Sequence, residues 1–173
     1  YKDMFEQAIL CDQGNYDSVG LTEHHLINIL MMPAPLQFAV KIAEATKNIK
    51  IITAVAVLPI HDMRIFAGEV IASQMFTDDR LILGVGRGAF AYEMTHLNTP
   101  LEDSRDKFNE SLDVLRALLS EEEVSWKGKY YNFDSLTVMP RPMTTNGPPI
   151  MMAVLNPQGI YACTKKGFHI MTT

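Results

Sequence analysis

The chain has 173 residues, 47% of them hydrophobic and 20% charged, which is the composition of a globular domain able to bury a core of useful size. Its formal net charge of −5 argues against nucleic acid or an anionic membrane as the main partner, and no stretch approaches the roughly 18 unbroken apolar residues of a membrane span. No basic segment leads into an apolar one at the start, and Cys11 and Cys163 match no metal or redox spacing, so the expectation is reduced, structural thiols in an intracellular, cytoplasmic protein.

Taken in chain order, residues 3–13 place Phe5, Ala8 and Ile9 on one helical face, with Gly14 positioned as a C-terminal cap. A short strand is expected over 16–22. Pro35 stands where a first helical residue belongs, and Leu36, Val40 and Ala43 carry an apolar stripe to about residue 47. The run 50–59 is β-branched and nearly all apolar, which predicts one strand buried on both faces. Asp62 can cap a helix reaching about residue 76, and 80–86 reads as a third strand. A loop of about fifteen residues is then expected, until Asp103 or Ser104 opens a helix with Phe108, Leu112, Leu115 and Leu119 at helical spacing. Residues 124–139 break the alternation and predict a small ribbon outside the main sheet. Residues 149–154 form a fourth strand, Asn156, Pro157 and Gly167 bracket a fifth helix, and 168–172 is a last strand.

Five strands alternating with five helices predict an α/β fold with a parallel sheet, either doubly wound or a (β/α)8 barrel, and the alternation does not choose between them. A barrel needs eight units. The chain opens on a helix and closes on a strand, so residues 1–173 read as a single partial domain cut from something longer, with 124–139 as an excursion from its sheet.

Ligands of parallel α/β folds bind at the C-terminal ends of the strands. Glu23-His24-His25, His61, Gly86-Arg87-Gly88 and Asn156 all follow predicted strands, which gathers three of the five histidines on one face. Each has a plainer reading: a histidine there can simply bond a carbonyl, and a glycine-flanked arginine can be a tight turn with a surface charge. Adjacent histidines rarely share one ion, so no metal is expected. Gly84, Gly86 and Ala89 formally match a dinucleotide fingerprint, but no helix starts within it and no acidic residue ends a strand some twenty positions on. A glycine-rich loop with Arg87 still suits a phosphate. His96 and His169 have no pattern around them.

Four ordered segments, LTEHH at 21–25, TAVAVLPIHDMR at 53–64, DRLILGVGRGAFAYE at 79–93 and PRPMTTNGPPIMMAV at 140–154, together with WKGKYYNF at 126–133, resemble the bacterial luciferase-like flavin-dependent monooxygenases. The resemblance implies a (β/α)8 TIM barrel, of which this chain supplies the helix after the first strand through the sixth strand. It implies FMN, used in reduced form, as cofactor, with deazaflavin F420 as the alternative. It makes His24 the catalytic histidine and His25 its companion. Thr53, Ala54 and Val55 would back the flavin ring, at a place where relatives often carry a non-prolyl cis peptide. Arg87, flanked by Gly86 and Gly88, would contact the flavin phosphate, with Asn156 at the neighbouring strand end. Leu155-Asn156 stands where luciferases carry Glu-Ser, and Phe90 where they carry tyrosine, which argues against light emission. The implied reaction oxidises a small organic substrate with dioxygen, a separate flavin reductase supplies electrons, and the full-length protein is a homodimer. An F420-dependent hydride-transferring enzyme and a non-catalytic flavin-binding protein are the competing readings.

Overall fold

The computed structural model describes residues 1–172. In chain order the strands are β1 (Ser18–Leu21), β2 (Lys50–Thr53), β3 (Ala56–Val57), β4 (Leu81–Gly86), β5 (Val124–Lys127), β6 (Asn132–Leu136), β7 (Ile150–Ala153) and β8 (His169–Met171). The helices are α1 (Lys2–Gln13), α2 (Pro35–Ala45), α3 (Met63–Phe76), α4 (Ala91–His96), α5 (Leu101–Ser120) and α6 (Pro157–Lys165).

The main sheet runs β1-β2-β4-β7-β8, with β3 also paired to β4, and every pairing in it is parallel. Spatial order follows chain order without a reversal. A doubly wound sheet would reverse at a switch point, so the alternation resolves into a curled half-barrel of five parallel strands with helices outside. β5 and β6 pair antiparallel as a separate two-stranded ribbon.

The core lies between strands and helices. Ile51, Leu81, Leu83 and Val85 from the sheet, Ala39 and Ile42 from α2, Val70 and Ile71 from α3, and Val114, Leu115 and Leu118 from α5 are fully buried. Each large aliphatic side chain so buried contributes about 1.5–3 kcal/mol. The N-terminal ends of the strands are tied by polar bonds to the backbone. Asp12 accepts the N–H groups of Lys47, Asn48 and Ile49 at 2.9, 2.9 and 2.8 Å, and Arg80 donates to Ala43 O at 2.7 Å and Thr46 Oγ1 at 2.9 Å. The ribbon is held to α5 by Glu110, whose carboxylate accepts from Trp126 Nε1 at 3.2 Å and from the N–H groups of Lys129 and Tyr131 at 3.1 and 3.0 Å.

Local expectations are corrected in two places. The single strand over 50–59 is broken at Thr53 by a cis Ala54–Val55 peptide, resumes for two residues as β3, and ends in a 3-10 turn over Leu58–Ile60. The long loop after β4 contains α4, and α5 begins at Leu101 behind Pro100 rather than at Asp103 or Ser104. Gly14 caps α1 as expected, with an ordinary φ of −81°, and Asn15 after it takes the left-handed conformation at φ 56°.

Candidate functional site

β1 ends at Leu21 and delivers Glu23, His24 and His25 to the C-terminal end of the sheet. Glu23 is only 2% exposed. Its Oε1 meets His25 Nε2 at 3.0 Å and His61 Nε2 at 2.7 Å, and its Oε2 accepts the Val57 N–H at 2.6 Å. Since a carboxylate only accepts, both imidazoles donate through Nε2. Burial pushes the Glu23 carboxyl up, but the His25 and His61 hydrogen bonds and the Val57 amide outweigh it and hold the pKa down at about 2. The bond to Glu23 raises His25 above its ordinary value against the opposing effect of burial, and the charges of Glu23 and Glu93 act in the same direction. His61 stacks on Phe66 with ring centroids 4.5 Å apart, and its carbonyl accepts from Tyr131 Oη at 3.2 Å.

A second buried carboxylate stands opposite His24. Glu93, on α4, places Oε2 3.2 Å from His24 Nδ1, while its Oε1 accepts the backbone N–H of His25. The Phe90 ring lies edge-on to the His24 imidazole, 4.9 Å between centroids at 89°. His24's own N–H donates to Met32 O at 3.0 Å, which fixes the following loop against the strand end. The sheet end thus holds two carboxylates, each against at least one imidazole, with His24, His25 and His61 partly accessible.

The other predicted residues lie on neighbouring strand ends. Thr53 is buried and donates Oγ1–H to Gly84 O at 2.8 Å, so it bridges β2 and β4. Ala54 and Val55 form the break between β2 and β3, and Val55 packs so tightly on Gly86 that a Cβ there would lie 2.5 Å from Val55 Cγ2. Arg87 is exposed, and its guanidinium donates to Ser104 Oγ on α5 at 3.3 Å. Gly88 has φ +82°. Asn156 is the N-cap of α6, accepting the Gly159 N–H through Oδ1 at 2.7 Å. Among the described residues, no group of His, Cys, Asp and Glu side chains could hold a metal ion. A cleft of about 790 Å³ lies at the opposite, N-terminal end of β7, beside Arg116, Asn146 and Ile150, and is lined by none of His24, His25, His61, Arg87 or Asn156.

The structure therefore brings His24, His25 and His61 together, and keeps Arg87 and Asn156 apart from that cluster on later strand ends. Sequence reasoning missed Glu93 altogether. The available signal was a single acidic residue in a stretch, 89–95, that is otherwise uncharged. Glu23 is visible in the sequence beside the histidines, but there it suggests only a metal ligand, whereas it bridges two imidazoles and an amide.

The sequence matches the luciferase-like monooxygenase family over residues 1–173. The oxygenase component of the flavin-dependent trigonelline monooxygenase of Acinetobacter baylyi is 24% identical over 181 residues, taking in 100% of this chain and 48% of that protein. The oxygenating constituent of 3,6-diketocamphane monooxygenase from Pseudomonas putida, a type II Baeyer–Villiger monooxygenase solved with FMN, superposes with a TM-score of 0.86 at 20% identity, over 97% of this chain and 50% of that one. An F420-dependent secondary alcohol dehydrogenase solved with an F420–acetone adduct gives 0.84 at 23% identity, over 99% and 53%. At these identities the two solved structures speak to the fold. The chain spans about half the length of the curated relatives it matches. Because the family match runs the length of the sequence and complete barrels superpose on nearly all of it, the chain belongs to the luciferase-like monooxygenase family.

Proposed function

We propose that this chain carries the flavin-side face of a flavin-dependent monooxygenase that uses reduced FMN and dioxygen to oxidise a small organic substrate. The observation that carries the reading is the histidine cluster at the strand C-termini, with Glu93 opposite His24 Nδ1 at 3.2 Å and Glu23 opposite His25 and His61. Polar groups this deeply paired at a barrel's functional end are the arrangement expected of a site that handles protons.

The residues present suit FMN. Arg87 is exposed and spends one N–H on Ser104, which leaves a planar fork for a phosphate. Gly86 and Gly88 let the backbone that carries Arg87 pack closely on Val55 and Met94, and Asn156, whose Oδ1 is engaged by Gly159, keeps its NH₂ available to a phosphate oxygen. Ala54 and Val55, both partly exposed, offer a small-residue wall on which a flat ring could rest, with Thr53 buried behind them and bonded to Gly84 O.

When bound, reduced FMN supplies the electrons that activate dioxygen. The chain's own task is to hold, orient and manage protons. His24, with Nδ1 turned to Glu93, has Nε2 to take or give a proton at the reacting centre. His25 supports it from behind, anchored by its ring on Glu23 and by its N–H on Glu93. The relative named as an oxygenase component supports a separate reductase as electron source, and two unpaired cysteines suit a reducing, cytoplasmic setting. The likeness to the F420-dependent alcohol dehydrogenase favours one second reading, hydride exchange with F420 on the same wall. The absorbance of the chromophore retained by the full-length protein separates the two.

The test is His24→Ala in the full-length protein. Flavin affinity is expected to hold while turnover with reduced FMN and dioxygen falls roughly 100-fold or more, the scale of a positioned acid–base group. Unchanged turnover would make His24 a structural loop residue and remove the reading's main support.

A further inference from the structure

We propose that Glu93 is a positioning residue that sets the tautomer and ring orientation of His24, so that Nε2 is the nitrogen presented to the reacting atoms. The inference rests on the role given to His24 above and extends it to the carboxylate that His24 Nδ1 faces.

The geometry has three parts. First, Glu93 divides its carboxylate between the two histidines: Oε2 faces His24 Nδ1 at 3.2 Å and Oε1 takes the His25 backbone N–H. An ionised carboxylate cannot donate, so Nδ1 carries the proton and Nε2 is left with its lone pair. The bond to the backbone prevents the carboxylate from turning away, because rotation that breaks one contact breaks the other. Second, the pair is shielded. The Glu93 side chain is 4% exposed and that of His24 is 15% exposed, so water competes little for the bond. Phe90 closes the other side of the ring edge-on.

Third, α4 is a fixed platform although it has only six residues. Met94, next to Glu93, is fully buried beneath the Gly86–Gly88 loop, where a Cβ on Gly88 would come within 2.4 Å of Met94 Sδ. Thr99, just beyond the helix, donates its N–H to Met94 O at 2.9 Å and its hydroxyl to Pro59 O at 3.1 Å, tying α4 back to the turn after β3. Lys107 of α5 donates to the same Thr99 hydroxyl at 2.8 Å. The segment that bears Arg87 therefore also carries the clamp on His24, and one short stretch of chain serves both ends of the site.

Glu93→Gln in the full-length protein tests this. The substituted amide keeps the size of the carboxylate, and its oxygen can still accept the His25 N–H, but its NH₂ then faces His24 Nδ1 and demands an acceptor there. In flavin-free protein labelled with ¹⁵N-histidine, the neutral His24 ring is expected to show a protonated Nδ1 in the wild type and a protonated Nε2 in Glu93→Gln. Turnover should fall roughly 100-fold, with KM and the FMN Kd within about threefold of wild type. A Glu93→Gln/His24→Ala double variant should be no slower than His24→Ala alone. If the wild-type ring carries its proton on Nε2, the inference is overturned without recourse to any variant, so a poorly folded Glu93→Gln protein does not protect it. An unchanged ¹⁵N pattern in Glu93→Gln overturns it too, as does additivity in the double variant. A reversed pattern with normal turnover in both single variants would instead remove the role assigned to His24, and this inference with it.

Discussion

Arg87 shows what a single residue decides. It lies at the mouth of the loop after β4 with one N–H on Ser104 Oγ and the rest of its guanidinium exposed. If it receives the flavin phosphate, Arg87→Ala should weaken FMN binding by roughly 10- to 150-fold, from a charge-assisted contact of about 1.5–3 kcal/mol, and leave riboflavin, which has no phosphate, nearly untouched. Parallel fluorescence titrations with the two flavins measure this, and equal losses would move Arg87 away from the phosphate. At this scale the sequence was legible wherever a residue sat beside a recognisable strand end, as His24, His25, His61 and Arg87 do. Glu93 was not legible, because six helical residues are less than two turns and show no apolar period from which to place a side chain. Its partner His24 lies 69 positions away, and nothing local marks such a pairing.

Elements were read well where periodicity or caps mark them. Asp62 does cap α3, accepting the Arg64 N–H, and Asn156 does cap α6. The 50–59 run failed because an unbroken apolar stretch has no feature at which to place the break after Thr53. The glycines of β4 carry a nucleotide-binding pattern that the absent helix start and acidic residue already set aside. Gly84 matches the first position of a nucleotide-binding loop, yet it lies inside the strand, and a Cβ there would fall 1.9 Å from the Thr53 carbonyl oxygen. Its purpose is close approach of β2 and β4. Gly84→Ala should therefore destabilise the protein by about 3 kcal/mol, at the upper end for overpacking, because the obstructing atom is backbone and cannot rotate away. Gly68→Ala, in α3 with nothing within 4 Å, should instead be neutral or stabilising by up to about 1 kcal/mol. Urea midpoints of the two variants in the full-length protein give the comparison, and similar values would refute the steric account.

For the whole molecule, alternation of strand and helix predicted a parallel sheet but left two architectures open, and the unreversed order β1-β2-β4-β7-β8 is what selects the barrel. That order depends on which strands pair across loops, which no local pattern encodes. Stability against pH is a property of the same scale. Glu23, held down at about 2, adds stability that is complete above the ordinary carboxyl value of 4.5 and is lost as pH falls toward 2. His25, raised above 6.5, adds stability that is complete below 6.5 and is lost as pH rises through its elevated value. Both contribute fully only between about pH 4.5 and 6.5, so thermal melts should peak there. Glu23→Gln should flatten both limbs and cost about 2–4 kcal/mol within the window. A variant melting curve with the wild-type pH dependence would show that the cluster does not govern it.

The grip of Glu110 on the ribbon has an evolutionary consequence. Its carboxylate takes the main-chain N–H groups of Lys129, Tyr130 and Tyr131, and so recognises the path of the turn without reading most of its side chains. Only position 128 is exempt, since a Cβ on Gly128 would lie 1.9 Å from Glu110 Oε1. Drift at Lys129, whose side chain is largely in solvent, should thus be nearly free, while any side chain at 128 would require both Glu110 and Trp126 to give way.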